Sequence, residues 1–458
     1  MPDENHPQFS TPTPSDGRRP TPRKLRFLPR GAQRLPSGAQ RPQAGRRPSP
    51  LPVTSELKIL HLNAFDRGNG ASIAANRLHR GLREAGVDSR MWVQNKLGSD
   101  PSVYGPRRGI GKYWNLLRPW LDRLPLAAIG KLHDFLYSAS WLPRRDWGPL
   151  REWTPDVLHL HWVQNGFLPV RAICRLPGPL VWTLHDQWPS SGLRHHPFPG
   201  REPPTGLEAR WDRWLRRRKE HFYPWSRIQG IAPSGWLREQ VANSSTWKAG
   251  SPQVLANPID TRRFHPVEPT LARRLLGLPT EQPLILFGAA VGTTDPLKGF
   301  DRLQAACRRL VDQGLQFGLV AFGEKVSGLE ESFPIHPLGF LHDDPTLALV
   351  YSAADVLALP SRLDNLPNTG VEAQACGCPV VGFRVGGVPE LVEEGVSGTI
   401  VEEGDVDAFA DALAGYLTDP TYRQQASAAA RHRAETHFST TTLIPRFLEL
   451  YESVRHQG

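Results

Sequence analysis

Val356-Leu357-Ala358-Leu359-Pro360-Ser361-Arg362-Leu363-Asp364-Asn365-Leu366-Pro367-Asn368-Thr369-Gly370-Val371-Glu372-Ala373-Gln374-Ala375 passes from an apolar segment, through a loop, into a stretch of helical composition. The motif therefore sits at a strand end and a helix start. Free backbone N–H groups around Asn368, Thr369, Gly370 and Val371 would face outward there, a setting that suits an anion such as a diphosphate. Glu372, about one turn into the helix, can reach back toward a bound group. An acid in a first helical turn is also favoured by the helix dipole alone, so Glu372 by itself carries little.

Around this stretch the pattern alternates. Leu284 to Phe287 reads as a strand, Phe300 to Val311 as a helix, Phe317 to Phe322 as a strand, Thr346 to Ala353 as a helix and Val356 to Leu359 as a strand. A helix over Asn368 to Ala375, the strand Pro379 to Phe383 and a helix around Pro389 to Glu393 follow. Such alternation predicts a doubly wound α/β sheet. Earlier in the chain Leu57 to Leu62 is apolar, the loop Asn63 to Gly70 contains two glycines, and Ala74, Leu78, Leu82 and Ala85 recur at helical spacing before Gly86. With further strands at Val157 to His161 and Leu180 to Leu184, a second wound unit is expected. Two such domains would face each other across a cleft. The expected divisions are a basic, disordered tail over 1–55, an acceptor-side domain over 56–256, a donor-binding domain over 257–437, and a C-terminal helix over 438–458 packing back on the first domain.

Residues 1–55 carry ten Lys and Arg against three Asp and Glu, a net of +7 out of +10 for the chain of 458 residues. Few periodic apolar residues occur there, a composition that cannot offset the entropy of ordering. The remainder is only mildly basic, so no nucleic-acid partner is expected. Cys174, Cys307, Cys376 and Cys378 form no metal-ligand pair. No apolar run reaches membrane-spanning length, and a cytoplasmic location, with peripheral contact to the inner face of the cell membrane, is expected.

The acid-x7-Glu spacing of Asp364 and Glu372, followed by Ala-x-Ala-Cys-Gly-Cys-Pro-Val-Val, resembles the large retaining GT-B glycosyltransferase family (family 4, group 1). It is similar to the members that build bacterial exopolysaccharides. The resemblance extends through Asp295-Pro-Leu-Lys298-Gly299-Phe300, Val385-Gly386-Gly387-Val388-Pro389-Glu390 and Gly395-Val-Ser-Gly398, with weaker likeness at Gly68-Asn69-Gly70-Ala71, His159-Leu-His161-Trp162 and Thr183-Leu-His185-Asp186. It implies a GT-B fold of two Rossmann-like domains, a nucleotide-sugar donor, and a glycan or lipid-linked acceptor. It also implies roles: Glu372 on the donor ribose, Asp364 on the transferred sugar, Lys298 on the diphosphate. The Gly68 to Gly70 loop would approach donor or acceptor, and His185 would face the donor sugar. Fixed cations and N–H donors would then stabilise the departing diphosphate, so no metal or other cofactor is expected.

Several features depart from this pattern. Many relatives carry an Arg shortly before the Lys, whereas this chain reads Gly288-Ala289-Ala290 and has no basic residue from there until Lys298. Leaving-group stabilisation would rest on Lys298 alone or borrow Arg362. The first motif acid is Asp rather than Glu, and Arg194-His195-His196 replaces a common Cys-His pair. A non-catalytic nucleotide-sugar binder is one rival reading. Another is a metal-dependent hydrolase, raised by histidines at 159, 161, 185, 195 and 196, since His159 and His161 on one strand would point to one face. Trp114, Leu117, Trp120 and Leu121 lie among basic residues, as does Trp211 to Lys219; such segments suit either an anionic membrane surface or solvated core helices.

Overall fold

In the computed structural model the described residues are 57–456 apart from 107–108, 135, 145, 197–202, 329–331 and 342, so the tail expected over 1–55 lies outside them. Seven parallel strands build a first sheet: β1 (Lys58–Phe65), β2 (Asp88–Asn95), β3 (Val103–Tyr104), β4 (Val157–Leu160), β5 (Leu180–Thr183), β6 (Ile228–Ala232) and β7 (Gln253–Val254), in the order β3-β2-β1-β4-β5-β6-β7. Six parallel strands build a second: β8 (Leu284–Gly288), β9 (Gly318–Phe322), β10 (Ile335–Gly339), β11 (Val356–Leu359), β12 (Val380–Phe383) and β13 (Gly398–Val401), in the order β10-β9-β8-β11-β12-β13. Helices cover both faces, which is why β5, β8, β11 and β12 are nearly continuous apolar runs, while β1 and β4 bury His61, Asn63 and His159 among apolar residues.

Local signals hold where expected. The helix Gly70–Glu84 starts at Asn69, whose side chain accepts the Ser72 N–H, and its Ala74, Leu78 and Leu82 are buried. Ala85 is the residue that ends this helix rather than part of its face. Asp405 caps the helix Val406–Thr418 by accepting the Ala408 N–H at 2.9 Å. Around Pro389 to Glu393 the expected helix is only a tight turn, Val388–Glu390. There the Leu391 N–H bonds back to Val388, and Gly395, at φ +74°, reverses the chain into β13.

Strand order reverses between β1 and β4 in the first sheet and between β8 and β11 in the second. At such a switch point the loops leave in opposite directions and open a crevice at the carboxyl ends of the strands. The helix Thr440–Arg455 returns from the end of the second half to the first sheet. Its Leu443, Ile444, Phe447, Tyr451 and Val454 pack on Ile59, Leu78, Leu82 and Val157.

Candidate functional site

The two crevices face one cleft of about 370 Å³, lined by Gly68 and Gly70, His185, Lys298, Asp364, Asn368, Thr369 and Glu372. Eight of the nine residues expected to touch donor or sugar thus meet in one place. Lys298 reaches it because Gly299 takes a left-handed conformation at φ +66°, and a Cβ there would lie 2.1 Å from the Pro360 carbonyl. The loop before the helix Phe300–Asp312 therefore lies against the end of β11, and Lys298 Nζ meets Asp364 Oδ2 at 2.5 Å. Burial opposes the Lys298 charge, but the attraction and hydrogen bond of Asp364 outweigh it and raise the pKa. Asp364 is held from behind, its carbonyl accepting the Gly387 N–H at 3.0 Å. Gly386 passes so close that a Cβ would come within 1.9 Å of that carbonyl oxygen.

The helix Asn368–Ala375 points its start at the cleft. Its Gly370 is the exception among the expected residues and does not line the cleft. The Gly370 N–H donates to Pro367 O at 3.0 Å, and its Cα faces Leu391 and Leu359. Val371 N–H likewise bonds Pro367 O, which leaves the N–H groups of Asn368 and Thr369 without a partner among the described residues. Asn368 Nδ2 donates across the cleft to Gly70 O at 2.9 Å. Glu372 is buried, and each of its oxygens accepts one bond and keeps a second acceptor position: Arg77 Nη1 donates to Oε1 at 2.7 Å and the Tyr351 hydroxyl to Oε2 at 2.6 Å.

His185 stands just past β5, and burial depresses its pKa to about 4. Its Nε2 lies 3.2 Å from His161 Nδ1, whose Nε2 lies 3.0 Å from His61 Nδ1. His61 on β1 pairs in register with His159 on β4, so the rings form a seam in the layer under the helix Thr440–Arg455. Asp186 faces elsewhere: it takes His195 Nδ1 at 2.6 Å, Trp162 Nε1 at 3.1 Å and the Trp188 N–H at 2.9 Å. Burial acts against its charge, but His195 holds its pKa down to about 2.

His61, His159 and His161 gather nitrogen atoms within 4.8 Å of one another, which is the grouping a metal reading needs. Five of their six nitrogens are already hydrogen-bonded to protein: His159 to the Tyr451 hydroxyl and Thr183 Oγ1, His161 to His185 and His61, and His61 through Nδ1. His159 and His161 moreover stack face to face, with centroids 4.2 Å apart, whereas a shared ion must lie in each ring plane. The arrangement is a hydrogen-bonded seam. Arg362, offered as a substitute cation, is held by Asp301 through Nη1 at 2.8 Å and does not line the cleft.

Sequence reasoning missed the residues that tie the halves together. Besides Arg77, Ser234 Oγ donates to Asn365 Oδ1 at 2.6 Å. The Glu390 carboxylate accepts the Gly235 and Trp236 N–H groups at 2.7 and 2.9 Å, at the start of the helix Gly235–Ala242. The one signal for Asn365 and Glu390 was their place inside motifs already singled out.

A model of glycosyl transferases group 1 matches residues 282–419, and a model of glycosyltransferase family 4 matches residues 68–263. The D-inositol 3-phosphate glycosyltransferase of Saccharomonospora viridis is 38% identical over 210 residues, 42% of this chain and 48% of that protein. The chain thus spans about half of that relative's length. Its counterpart in Kribbella flavida is 31% identical over 311 residues, 61% of this chain and 67% of that protein. Among solved structures, sucrose-phosphate synthase from Thermosynechococcus elongatus superposes with a TM-score of 0.60 at 18% identity, covering 88% of this chain and 100% of that one. Anabaena HepE in complex with UDP-glucose gives 0.59 at 18% identity, covering 87% and 100%. The two facing parallel sheets are those of the GT-B fold, and the chain belongs to the group 1 (family 4) glycosyltransferases.

Proposed function

We propose that the chain moves a sugar from a nucleotide-sugar donor to a glycan or lipid-linked acceptor, with retention at the anomeric carbon, in polysaccharide or glycoconjugate synthesis. The observation that carries this reading is the Lys298 to Asp364 pair at the mouth of the helix Asn368–Ala375, opposite His185. As the bond from anomeric carbon to phosphate oxygen breaks, negative charge collects on the departing diphosphate. Lys298, kept protonated by Asp364, and the N–H groups of Asn368 and Thr369 stabilise that charge without reorganising. The acceptor hydroxyl forms the new bond to the anomeric carbon and gives its proton to the departing phosphate. Glu372 binds the ribose, and Arg77 and Tyr351 fix its carboxylate. Because Lys298 does the work a divalent ion does elsewhere, transfer needs no metal. The test is a nucleotide-sugar panel scored by thermal shift and then by hydrolysis and transfer, with inositol phosphates among the acceptors. Transfer should survive chelation; a donor bound without hydrolysis or transfer to any acceptor would favour the non-catalytic binder.

A second observation bears on location. The helix Ile110–Arg123 is inside out: Asn115, Arg118 and Asp122 are buried, while Tyr113, Trp114, Leu117 and Trp120 are exposed, Tyr113 by 74% and Trp120 by 52%. Arg118 holds the carbonyls of Gly166, Pro143 and Leu142, and Asp122 accepts the N–H groups of Ser140, Trp141 and Leu142. An ordinary surface helix does the reverse. Its outward Trp and Tyr rings beside Lys112, on a chain of net charge +10, suit the interface of an anionic bilayer on the inner face of the cell membrane. No helix among the described residues is long and apolar enough to cross a membrane. Sedimentation with phosphatidylglycerol vesicles should capture the protein, and phosphatidylcholine vesicles should not. Trp114→Ser with Trp120→Ser should abolish capture, and removing residues 1–55 should weaken it at low salt while leaving donor turnover unchanged. Equal capture by both vesicles, or by the double variant, would refute this placement.

A further inference from the structure

His185 is the one imidazole of the seam that lines the cleft, and the seam behind it has an end that nothing among the described residues satisfies. Two hydrogen bonds link three rings, His185 Nε2 to His161 Nδ1 at 3.2 Å and His161 Nε2 to His61 Nδ1 at 3.0 Å. Burial pushes His61 and His161 far below the ordinary imidazole pKa and His185 to about 4, so all three rings are neutral near pH 7. A neutral imidazole carries one N–H, and the two bonds then admit only two arrangements of opposite sense.

In the first, His61 donates from Nδ1, His161 donates from Nδ1, and His185 accepts at Nε2 and keeps its proton on Nδ1. In the second, every role is exchanged: His185 donates from Nε2, presents a bare Nδ1, and leaves the His61 proton on Nε2. His61 Nε2 decides between them, because it is buried and has no hydrogen-bond partner among the described residues. The first arrangement strands a lone pair there, and the second strands an N–H. Buried donors without an acceptor are the rarer and costlier case, while acceptors are more often left under-used. The groups packed around the seam do not reverse this. Both nitrogens of His159 are spent on Tyr451 and Thr183, both of His79 on Ser89 and Ser102, and the oxygens of Asp186 on His195, Trp162 and Trp188.

We propose that His161, backed by His61, is a positioning residue that fixes His185 as its Nδ1–H tautomer, so that the first half offers the transferred sugar a hydrogen-bond donor. The sugar oxygen accepting it would be an oriented hydroxyl, which selects for donors carrying a hydroxyl at that point and against deoxy analogues. This rests on His185 facing the sugar, yet the tautomer can be measured with no sugar present, so the two readings fail separately.

The experiment is a long-range proton–nitrogen correlation spectrum of the full chain labelled with ¹⁵N-histidine near pH 7. The His185 signals are identified by their loss in His185→Gln. A protonated Nδ1 and a bare Nε2 are expected. His161→Phe removes the anchor and should let His185 revert to the Nε2–H form that a free neutral imidazole prefers, with kcat falling roughly tenfold to a hundredfold and donor KM changing little. His161→Asn, whose amide nitrogen stands near the lost Nδ1, should restore both the tautomer and much of the rate. An N–H on His185 Nε2 in the wild-type protein overturns the proposal. So does an unchanged Nδ1–H in folded His161→Phe, or one metal ion per chain that is lost on His159→Gln. Should His161→Phe fail to fold, the wild-type spectrum still decides.

Discussion

Arg77 is the residue that fixes Glu372 in the cleft, although it lies in the other half of the molecule. Its guanidinium sits over the Phe264 ring, 4.7 Å from the centroid, and donates to a Glu372 carboxylate that is itself buried. Removing one partner of such a pair strands a charge. Arg77→Met should therefore cost about 3–5 kcal/mol in urea unfolding, and Arg77→Met with Glu372→Gln should recover most of it; additive losses would mean that the pair is not coupled. The motif acids should also separate in their chemistry. Asp364→Ala is expected to keep nucleoside diphosphate affinity while losing on the order of a hundredfold in single-turnover transfer, since it orients the sugar end. Glu372→Gln should weaken diphosphate binding and raise KM more than it lowers kcat. Lys298→Ala should lower kcat by roughly 10²–10³-fold. Equal loss of diphosphate binding in the Asp364 and Glu372 variants would remove the distinction.

Among the elements, those buried on both faces were readable in sequence, and those stabilised by polar contacts were not. β4, β5, β8, β11 and β12 are short apolar runs and appear at the expected places. β2 reads Asp88-Ser-Arg-Met-Trp-Val-Gln-Asn, and its buried Ser89 and Gln94 bond to His79 and, through the Gln94 amide N–H, to the Asn165 carbonyl, contacts that no periodicity carries. β10 is an edge strand with Pro337 in it and is half exposed, which removes the apolar signal. The site shows the same division. Lys298, Asp364 and Glu372 lie in local motifs, whereas Arg77, Tyr351 and His61 act through contacts made only when distant segments meet. The helix Thr440–Arg455 gives an element-scale test. Tyr451→Phe deletes the hydroxyl on His159 Nδ1 and leaves a buried polar atom unmatched. A loss of about 1–3 kcal/mol in urea unfolding is expected, with donor KM unchanged; no loss would mean that water or a rotated His159 takes the place of the hydroxyl.

At the scale of the whole molecule, the buried histidines make stability depend on pH. Burial depresses His79 and His185 to about 4 in the folded protein, against about 6.5 for an unfolded chain. Between those values the unfolded chain binds protons that the folded one refuses. Their contribution is therefore fully present above about pH 6.5 and is lost as pH falls toward about 4, at most on the order of 3 kcal/mol for each ring. Urea midpoints should fall steadily from about pH 7 to about pH 4.5, and His79→Gln should flatten that slope. A midpoint constant over this range would show that the rings are not held neutral. One more consequence follows from the helix Thr440–Arg455 lying on the first sheet. The strands it covers leave the ribosome early, but the helix follows only after the whole second half. At about 5–20 residues per second the uncovered face of Ile59, Val157 and Val181 waits roughly thirteen to eighty seconds for its lid. During that interval the nascent first half exposes an apolar seam, which makes it a natural client for a chaperone at the tunnel exit and a poor candidate for expression as a separate fragment.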